Sequence, residues 1–539
     1  MEFNVADLVE AAADAVPERD ALVAGEVRHS FRSLDERANR VAHHLAASGV
    51  GAGDHVGVYA YNCAEYVEAM LACYKLRAVP INVNYRYVEK ELEYLFDNAD
   101  LVAVVHQRQF TPRIAAVRDR LPKLRHFVAI DDQSGEDLAE LGSVPYEEAL
   151  AAASPDRGFG PRSADDLYVL YTGGTTGMPK GVLWRQEDVI FALGGGIDHV
   201  TGEPARRPED MTAKTANPSL TMMVMPPLMH GAAQWAILIG LFVGQKTVLY
   251  ASPHFDPDQV WRTVERERAN VLYITGDAMA RPLADRLSSS FEDYDVSSVV
   301  ALASTAAIFS PSVKDQLKEK LPNLIITDSL GSSETGFNGT AMYDAADKTR
   351  REGAGVRINP GRDTIVLDED LRPVEPGSGV IGKVARGGNI PLGYYKDPKK
   401  TAATFIEVRG KRYSMPGDLA RVEADGSIAL LGRGDVCINS GGEKIYPEEV
   451  EAALKSHQDV FDALVVGVPD ERWGEKVAAV VQPRPGRTPQ LEALNDHCRT
   501  QLARYKVPRA LHLVEQIQRQ PSGKPDYPWA KRVATEALG

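Results

Sequence analysis

The chain has 539 residues, a formal net charge of −14, 44% hydrophobic and 25% charged residues. That length holds roughly three or four average domains, the balance is that of a soluble globular enzyme, and the acidity argues against a fold-wide basic surface for nucleic acid. Cys63, Cys73, Cys437 and Cys498 stand in no CxxC or other metal-like spacing, which argues against zinc and a disulfide framework and for a reducing cytoplasm.

The N-terminal stretch Met1 to Glu10 is acidic and amphipathic, without the basic and then apolar layout of a signal peptide. Ser33-Leu-Asp-Glu36 is a capping-box signature and predicts a helix through Leu45. His55–Ala60 and Val79–Val83 read as buried strands around a helix at Glu65–Leu76. Further strands are predicted at Leu101–His106, His126–Ile130, Thr221–Met225, Thr247–Tyr250, Val271–Thr275, Val299–Ser304 and Ile325–Leu330, many separated by helical stretches. Such alternation implies parallel sheets with helices on both faces. Asp198 to Pro218 is polar and rich in Pro, Glu and Arg, the composition of a long loop or lid. The most apolar run, Trp235 to Val243, is too short to span a bilayer; a greasy substrate would still allow peripheral membrane contact. After Gly353 short strands and turns take over, as at Thr364–Leu367 and Ile381–Arg386. The last hundred or so residues return to an α+β pattern, with a helix at Glu448–Lys455, strands at Asp462–Val468 and Lys476–Gln482, and a helix at Leu491–Tyr505. The domain boundary is expected at Asp435, giving a large domain 1–434 and a small domain 435–539.

One segment carries the most chemistry. Tyr171-Thr-Gly-Gly-Thr-Thr-Gly-Met-Pro-Lys-Gly181 follows the apolar Tyr168-Val-Leu-Tyr171 and precedes Gly181-Val-Leu-Trp184. Glycines let successive backbone N–H groups turn inward and form a concave anion site. Threonine hydroxyls add donors, and Lys180 adds a point charge. A Walker A loop needs G-x-x-x-x-G-K followed by Ser or Thr. Here Met178 and Pro179 separate Gly177 from Lys180, and Gly181 follows, so the pattern of an ordinary P-loop fails.

The segment resembles the phosphate loop of the acyl-adenylate-forming superfamily, T-S-G-T-T-G-x-P-K-G, with Gly173 where serine is common. That resemblance implies a contact set for ATP phosphates of Thr172, Gly173, Gly174, Thr175, Thr176, Gly177 and Lys180. The other motifs come in order. Thr327-Asp-Ser-Leu-Gly-Ser-Ser-Glu-Thr-Gly336 resembles the Y-G-x-T-E turn, which implies Glu334 as the Mg²⁺ ligand and catalytic carboxylate, Ser333 as a phosphate contact, and Asp328, Leu330 and Gly331 beside the adenine, Leu330 replacing the usual aromatic. One protein carboxylate with phosphate oxygens and water suits Mg²⁺. Ser304-Thr-Ala-Ala-Ile-Phe-Ser-Pro311 stands in the place of the adenine wall, S-G-G-A-P-L, with Thr305 and Ala306 replacing glycines; a plain strand–helix turn is an equally good reading of those residues. Tyr413-Ser-Met-Pro-Gly-Asp-Leu-Ala420 matches the T-G-D segment, with Asp418 for the ribose hydroxyls.

Gly432 to Glu451 resembles the hinge and the segment after it, implying Arg433 on ribose or phosphate, Asp435 as the pivot of a mobile small domain, and Ser440, Gly441 and Gly442 along the path of coenzyme A. Pro226-Pro-Leu-Met-His230-Gly matches the P-L-x-H segment at the acyl entrance; His230 is read either as a binding residue or as a packed histidine. Gly231, Trp235 and Phe337, with Met229 and Phe309, are candidate acyl walls that would equally pack a core. Arg519-Gln-Pro-Ser-Gly-Lys-Pro525 resembles the C-terminal P-x-x-x-S-G-K signature, which makes Lys524 the catalytic lysine of adenylation.

The resemblance spans essentially the whole chain and is greatest to actinobacterial fatty-acyl and steroid side-chain CoA ligases. It implies an α/β fold, a large N-terminal domain of parallel-type sheets covered by helices plus a small β subdomain, then a small mobile α+β domain. It implies an AMP-forming acid:CoA ligase using ATP, Mg²⁺ and coenzyme A on a fatty or steroid-type acid. Two alternatives stand beside it: loading of a carrier protein, and a non-catalytic nucleotide-binding protein. A homodimer is compatible with the sequence, which offers no argument for one.

Overall fold

The computed structural model describes residues 1–174, 177–197, 203–307, 309–344, 357–433, 436–440, 443–470, 474–520 and 524–536. The chain forms two compact units: Met1–Tyr273 with Tyr294–Val299 and Asn389–Phe405, and Ile274–Asp293 with Val300–Gly388 and Ile406–Gly539.

The first unit holds three sheets. One is wholly parallel, in the order Val79–Asn82, His55–Tyr59, Leu101–Gln107, His126–Ile130, Val144–Pro145. Its strands His55–Tyr59 and Leu101–Gln107 are buried along their whole length, the burial expected when both faces of a parallel sheet are covered. In the second, Lys246–Leu249, Thr221–Val224 and Val271–Ile274 run parallel, and Asp20–Ala24 joins Lys246–Leu249 in the same sense. The third is an antiparallel hairpin, Leu167–Gly174 with Gly177–Arg185, edged by Gly393–Tyr394. Helices Val5–Ala15, Phe31–Ala47, Ala64–Lys75 and Gly231–Phe242 contribute to one hydrophobic core with Trp184 and Leu170 of the hairpin.

In the second unit Ala301–Thr305 lies parallel to Ile325–Ser332, which turns back antiparallel into Gly336–Met342. From there the ladder continues antiparallel through Arg357–Pro360, Ile428–Arg433, Asp418–Val422 and Ile381–Arg386, the short-strand texture expected after Gly353. A further sheet pairs Val460–Asp470 with Gly474–Pro483, and Ala510–Leu513 adds in parallel. Strand alternation puts Ala463 and Val465 into one core and Leu464, Val466 and Val468 into another.

Most predicted strands fall within a residue or two of their ranges, and three expectations change. The helix expected from Ser33 begins at Phe31, and its cap is Ser30, whose Oγ accepts from the Ser33 amide at 3.2 Å. The stretch expected as one long loop carries helix Pro208–Thr212 and a 3₁₀ turn Ala213–Ala216, the latter held by Arg19 Nη1 donating to Thr215 O at 3.2 Å. The helix from Leu491 ends at Arg499, where the Thr500 hydroxyl donates to His497 O at 2.7 Å.

Candidate active site

The phosphate motif is a β-hairpin rather than a free loop. Thr172 faces Lys180 in register and Gly174 faces Gly177, so Gly173, Gly174 and Gly177 end the two arms and Thr175 and Thr176 lie outside the described residues. The base is fixed by Asn82, whose side chain accepts from Tyr171 N at 2.8 Å and donates to Tyr171 O at 2.8 Å and Met229 O at 2.7 Å. One buried amide thus ties the hairpin to the segment before His230. Gly181 is required there, because a Cβ would meet the Tyr171 ring at 2.7 Å. Lys180 Nζ sits 2.8 Å from Asp397 Oδ2.

Of the candidate acyl walls in this unit, His230 is the N-cap residue of helix Gly231–Phe242 and is half-buried. Gly231 packs so closely on Leu170 that a Cβ would stand 2.6 Å from Cδ2. Trp235 and Met229 are buried, Trp235 edge-on to Tyr168 at 5.2 Å.

In the second unit the parallel register sets Ser304 beside Asp328 and Thr305 beside Ser329, bringing the predicted adenine wall against the predicted metal turn. Ser304 Oγ accepts from Gly276 N at 3.0 Å. Ala306 takes φ +68° between Thr305 O and Ala307 N, which are hydrogen-bonded at 2.9 Å, a tight three-residue turn in the left-handed region that favours glycine. Asp328 is held by the ammonium of buried Lys314, which also lies 4.9 Å from the Phe309 ring and 5.2 Å from the Tyr343 ring. Burial pushes the Asp328 carboxyl up and Lys314 opposes that shift.

The strand carrying Leu330 is irregular after it: Leu330 pairs with Gly339, then Gly331 with Phe337. Only glycine fits at 331, where a Cβ would meet Gly336 O at 2.5 Å. Thr335, fully buried, closes the turn. Its Oγ1 accepts from Ser332 N at 3.2 Å and from Asn338 Nδ2 at 3.0 Å and donates to Gly336 O at 3.1 Å. Ser333 and Glu334 are half-buried on that turn, and Ser414 Oγ donates to Glu334 O at 2.6 Å. Asp418, four residues further on, faces Arg433 across the ladder.

Beyond the hinge, Asp435, Gly441 and Gly442 lie outside the described residues, and Ser440 is buried opposite Gly474. Lys524 is exposed, and its carbonyl accepts from Gln520 N at 2.8 Å. Five residues before it, Arg519 forms a double hydrogen bond with Asp462, both at 2.7 Å.

Taken unit by unit, the first carries a glycine-lined hairpin with a lysine, and the second carries a carboxylate on a hydrogen-bonded turn, an acceptor-only carboxylate whose strand position pairs with that of an arginine, and an exposed lysine near the C-terminus; these are residue types that acid activation uses. The chain matches the AMP-binding enzyme family over residues 9–395 and the AMP-binding enzyme C-terminal domain over 449–524. The chain belongs to the AMP-binding enzyme family. It is 55% identical, over 99% of its length and 97% of the relative's, to a medium/long-chain-fatty-acid–CoA/3-oxocholest-4-en-26-oate–CoA ligase of Mycobacterium marinum. A 3-oxocholest-4-en-26-oate–CoA ligase of Rhodococcus rhodochrous is 53% identical over 98% of this chain and 96% of its own. Among solved structures, an anthranilate CoA ligase, AuaEII, in complex with anthranoyl-AMP superposes with a TM-score of 0.83 at 22% identity, covering 99% of this chain and 98% of that one.

Sequence reasoning passed over several residues of this AMP-binding enzyme. Thr335 and Asn338 sit inside and just after a motif whose carboxylate drew the attention; their hydroxyl and amide spacing was the available signal. Ser414 lay within the T-G-D match. Nothing in the sequence marked Asp397, Lys314 or the buried pair of Asp277 Oδ2 and Lys455 Nζ, 3.6 Å apart.

Proposed function

We propose that the chain is an ATP-dependent ligase that joins coenzyme A to medium- or long-chain fatty acids and to a steroid side-chain acid of the 3-oxocholest-4-en-26-oate type. The observation that carries this is full-length likeness at 53–55% identity to ligases of those acids, with Glu334, Asp418 and Lys524 all present in their motifs.

A carboxylate is a poor acyl donor because its leaving group is oxide. Its oxygen therefore attacks the α-phosphorus of ATP, an acyl-phosphate bond forms as the bond to pyrophosphate breaks, and the thiolate of coenzyme A then displaces AMP from the acyl carbon. The protein's share is positioning and charge neutralisation. The hairpin amides and Lys180 take the β- and γ-phosphates, and Asp418 takes the ribose hydroxyls. Lys524 orients the incoming carboxylate against the α-phosphate. No group of three or more His, Cys, Asp or Glu converges among the described residues as an all-protein metal cage. Glu334 as a single carboxylate, completed by phosphate oxygens and water, fits Mg²⁺, which would neutralise phosphate charge. Ser304, Thr305, Ala306, Asp328, Leu330 and Gly331 are assigned to the adenine, His230, Gly231, Trp235 and Phe337 to the acid, and Ser440, Gly441 and Gly442 to the path of coenzyme A. The division into domains 1–434 and 435–539, with Asp435 as pivot, is part of the same proposal; one active site then serves two reactions by exchanging the residues around it.

No described helix is long and apolar enough to cross a membrane. The same reading takes the enzyme as cytoplasmic and able to touch a membrane surface, to be checked by fractionation; a homodimer is compatible with it, and sedimentation decides that point. The deciding experiment measures AMP and thioester formation with octanoate, palmitate and 3-oxocholest-4-en-26-oate, with coenzyme A or a phosphopantetheinylated carrier protein as acceptor. Thioester on coenzyme A is the expected product. Transfer to the carrier alone, or no acid-dependent pyrophosphate exchange at all, would overturn the proposal.

A further inference from the structure

Lys180, on the second arm of the phosphate hairpin, has its ammonium engaged within its own unit. Nζ lies 2.8 Å from Asp397 Oδ2 and 5.9 Å from the centroid of the Tyr394 ring. Both partners belong to the segment that edges the hairpin. That segment is fixed by main-chain bonds: Leu392 N donates to Leu183 O at 2.7 Å and Tyr395 N to Gly181 O at 2.8 Å. The side-chain pair is therefore not what holds the edge in place. Asp397 is held independently as well, since it is the N-cap of helix Pro398–Thr404 and its Oδ1 accepts from Lys400 N at 2.9 Å. The pair itself is accessible, with 40% of the lysine side chain and 31% of the aspartate side chain exposed. Exposed pairs of this kind are weak and readily exchanged. A polyphosphate carries more negative charge than a carboxylate and can displace it from an ammonium.

We propose that Asp397 is a positioning residue that holds Lys180 in a resting pose, and that the triphosphate of ATP must take the lysine from it. The inference rests on the reading of Lys180 as a phosphate contact. Asp397 does not leave when the exchange occurs, because its capping bond and the edge strand keep it in place. Its negative charge then stands near the phosphates and opposes them. Asp397 thus limits ATP affinity in two ways, by competition beforehand and by repulsion afterwards. Both depend on charge and neither on shape, so asparagine removes both while preserving the cap. The nucleoside part of the ligand takes no share in the exchange, and AMP, which lacks the β- and γ-phosphates, should be indifferent to it.

The test is calorimetric titration of the full-length protein with Mg²⁺-ATP and with AMP, for the parent, Asp397→Asn and Lys180→Met, at low and high salt. Asp397→Asn is expected to lower the Kd for ATP by about 3- to 10-fold at low salt, with the gain shrinking as salt rises, as screening of a partly exposed charge requires. It should leave the Kd for AMP unchanged. Lys180→Met should weaken ATP by about tenfold or more, the scale of one lost charge-assisted bond to phosphate. If Asp397→Asn weakens ATP as Lys180→Met does, the pair is a strut and the inference falls. It falls equally if ATP affinity is unchanged, or if ATP and AMP tighten alike. If Lys180→Met leaves ATP binding intact, the phosphate-contact reading itself is wrong, which separates the two failures.

Discussion

Replacing Thr335 with valine tests whether the Glu334 turn works because it is rigid. Valine has nearly the shape of threonine, so packing is preserved and the hydroxyl alone is lost. Thr335 is fully buried, and its Oγ1 serves Ser332 N, Asn338 Nδ2 and Gly336 O at 3.0–3.2 Å. Asn338 is itself 1% exposed, so its abandoned donor has no route to water. A buried donor left unmade costs about 1–3 kcal/mol, and the half-buried Ser332 amide adds about 0.5–1.5 kcal/mol. The turn should therefore lose roughly 2–4 kcal/mol. Part of that appears as lower stability and part as freedom of Glu334 to leave its position. In a pyrophosphate-exchange assay titrated with Mg²⁺, Thr335→Val should need about tenfold or more Mg²⁺ for half-maximal rate, while Thr335→Ser, which keeps the hydroxyl, should stay close to the parent. A Thr335→Val enzyme with the parent's Mg²⁺ dependence and denaturation midpoint would show that the hydroxyl does not position Glu334.

Lys524→Ala should cut acyl-adenylate formation by about a thousandfold, the scale of a positioning charge at a reacting centre, yet spare thioester formation from preformed acyl-adenylate; Asp435→Pro should impair the second step more than the first, and equal loss in both half-reactions would remove either role. Ala306→Gly should relieve a left-handed alanine and raise the urea midpoint by an amount equal to about 0.5–1 kcal/mol, the strain outweighing glycine's extra unfolded-state entropy; an equal drop would show that the entropy dominates. His106 is fully buried between Gln107 O at 3.0 Å and Ser143 Oγ at 3.1 Å, and burial pushes its pKa down to about 4. Burial, with His44 adding, also takes His126 to about 4. Both are neutral when folded and charged when unfolded below about 6.5, so their contribution is intact above that pH and is lost as pH falls toward 4. His106 alone would account for on the order of 3 kcal/mol, and denaturant midpoints that stay flat from pH 7 to pH 4 would contradict it.

Much of the chemistry was legible because it depends on local backbone demands. Glycine is needed where there is no room for a Cβ, at Gly181 of the hairpin because of the Tyr171 ring and at Gly331 of the strand leading to the Glu334 turn because of the Gly336 carbonyl. The parallel strands announced themselves as continuous apolar runs such as Leu101 to Val105, which are buried on both faces. Misreadings came where side chains decide. Ser30, not Ser33, caps the second helix, since both serines precede the same apolar pattern and only the chain path selects one. The polar 198–218 stretch folds in part because Arg19, far away in sequence, reaches Thr215 O and Gly244 O.

Sequence alone determined the family and the order of the motifs, and it is from those motifs that the reacting groups are proposed, because each is a short run whose residue types suit a phosphate, a hydroxyl or a metal. Tertiary structure alone decided which residues hold those groups still. Asn82 under the hairpin, Thr335 and Asn338 within the Glu334 turn, Ser414 on its carbonyl and Asp397 on Lys180 are brought to their partners from up to 217 positions along the chain. The long-range pairings are set by strand register and burial, which no local pattern of residues encodes, whereas Thr335 meets Ser332 and Asn338 only three positions away on either side.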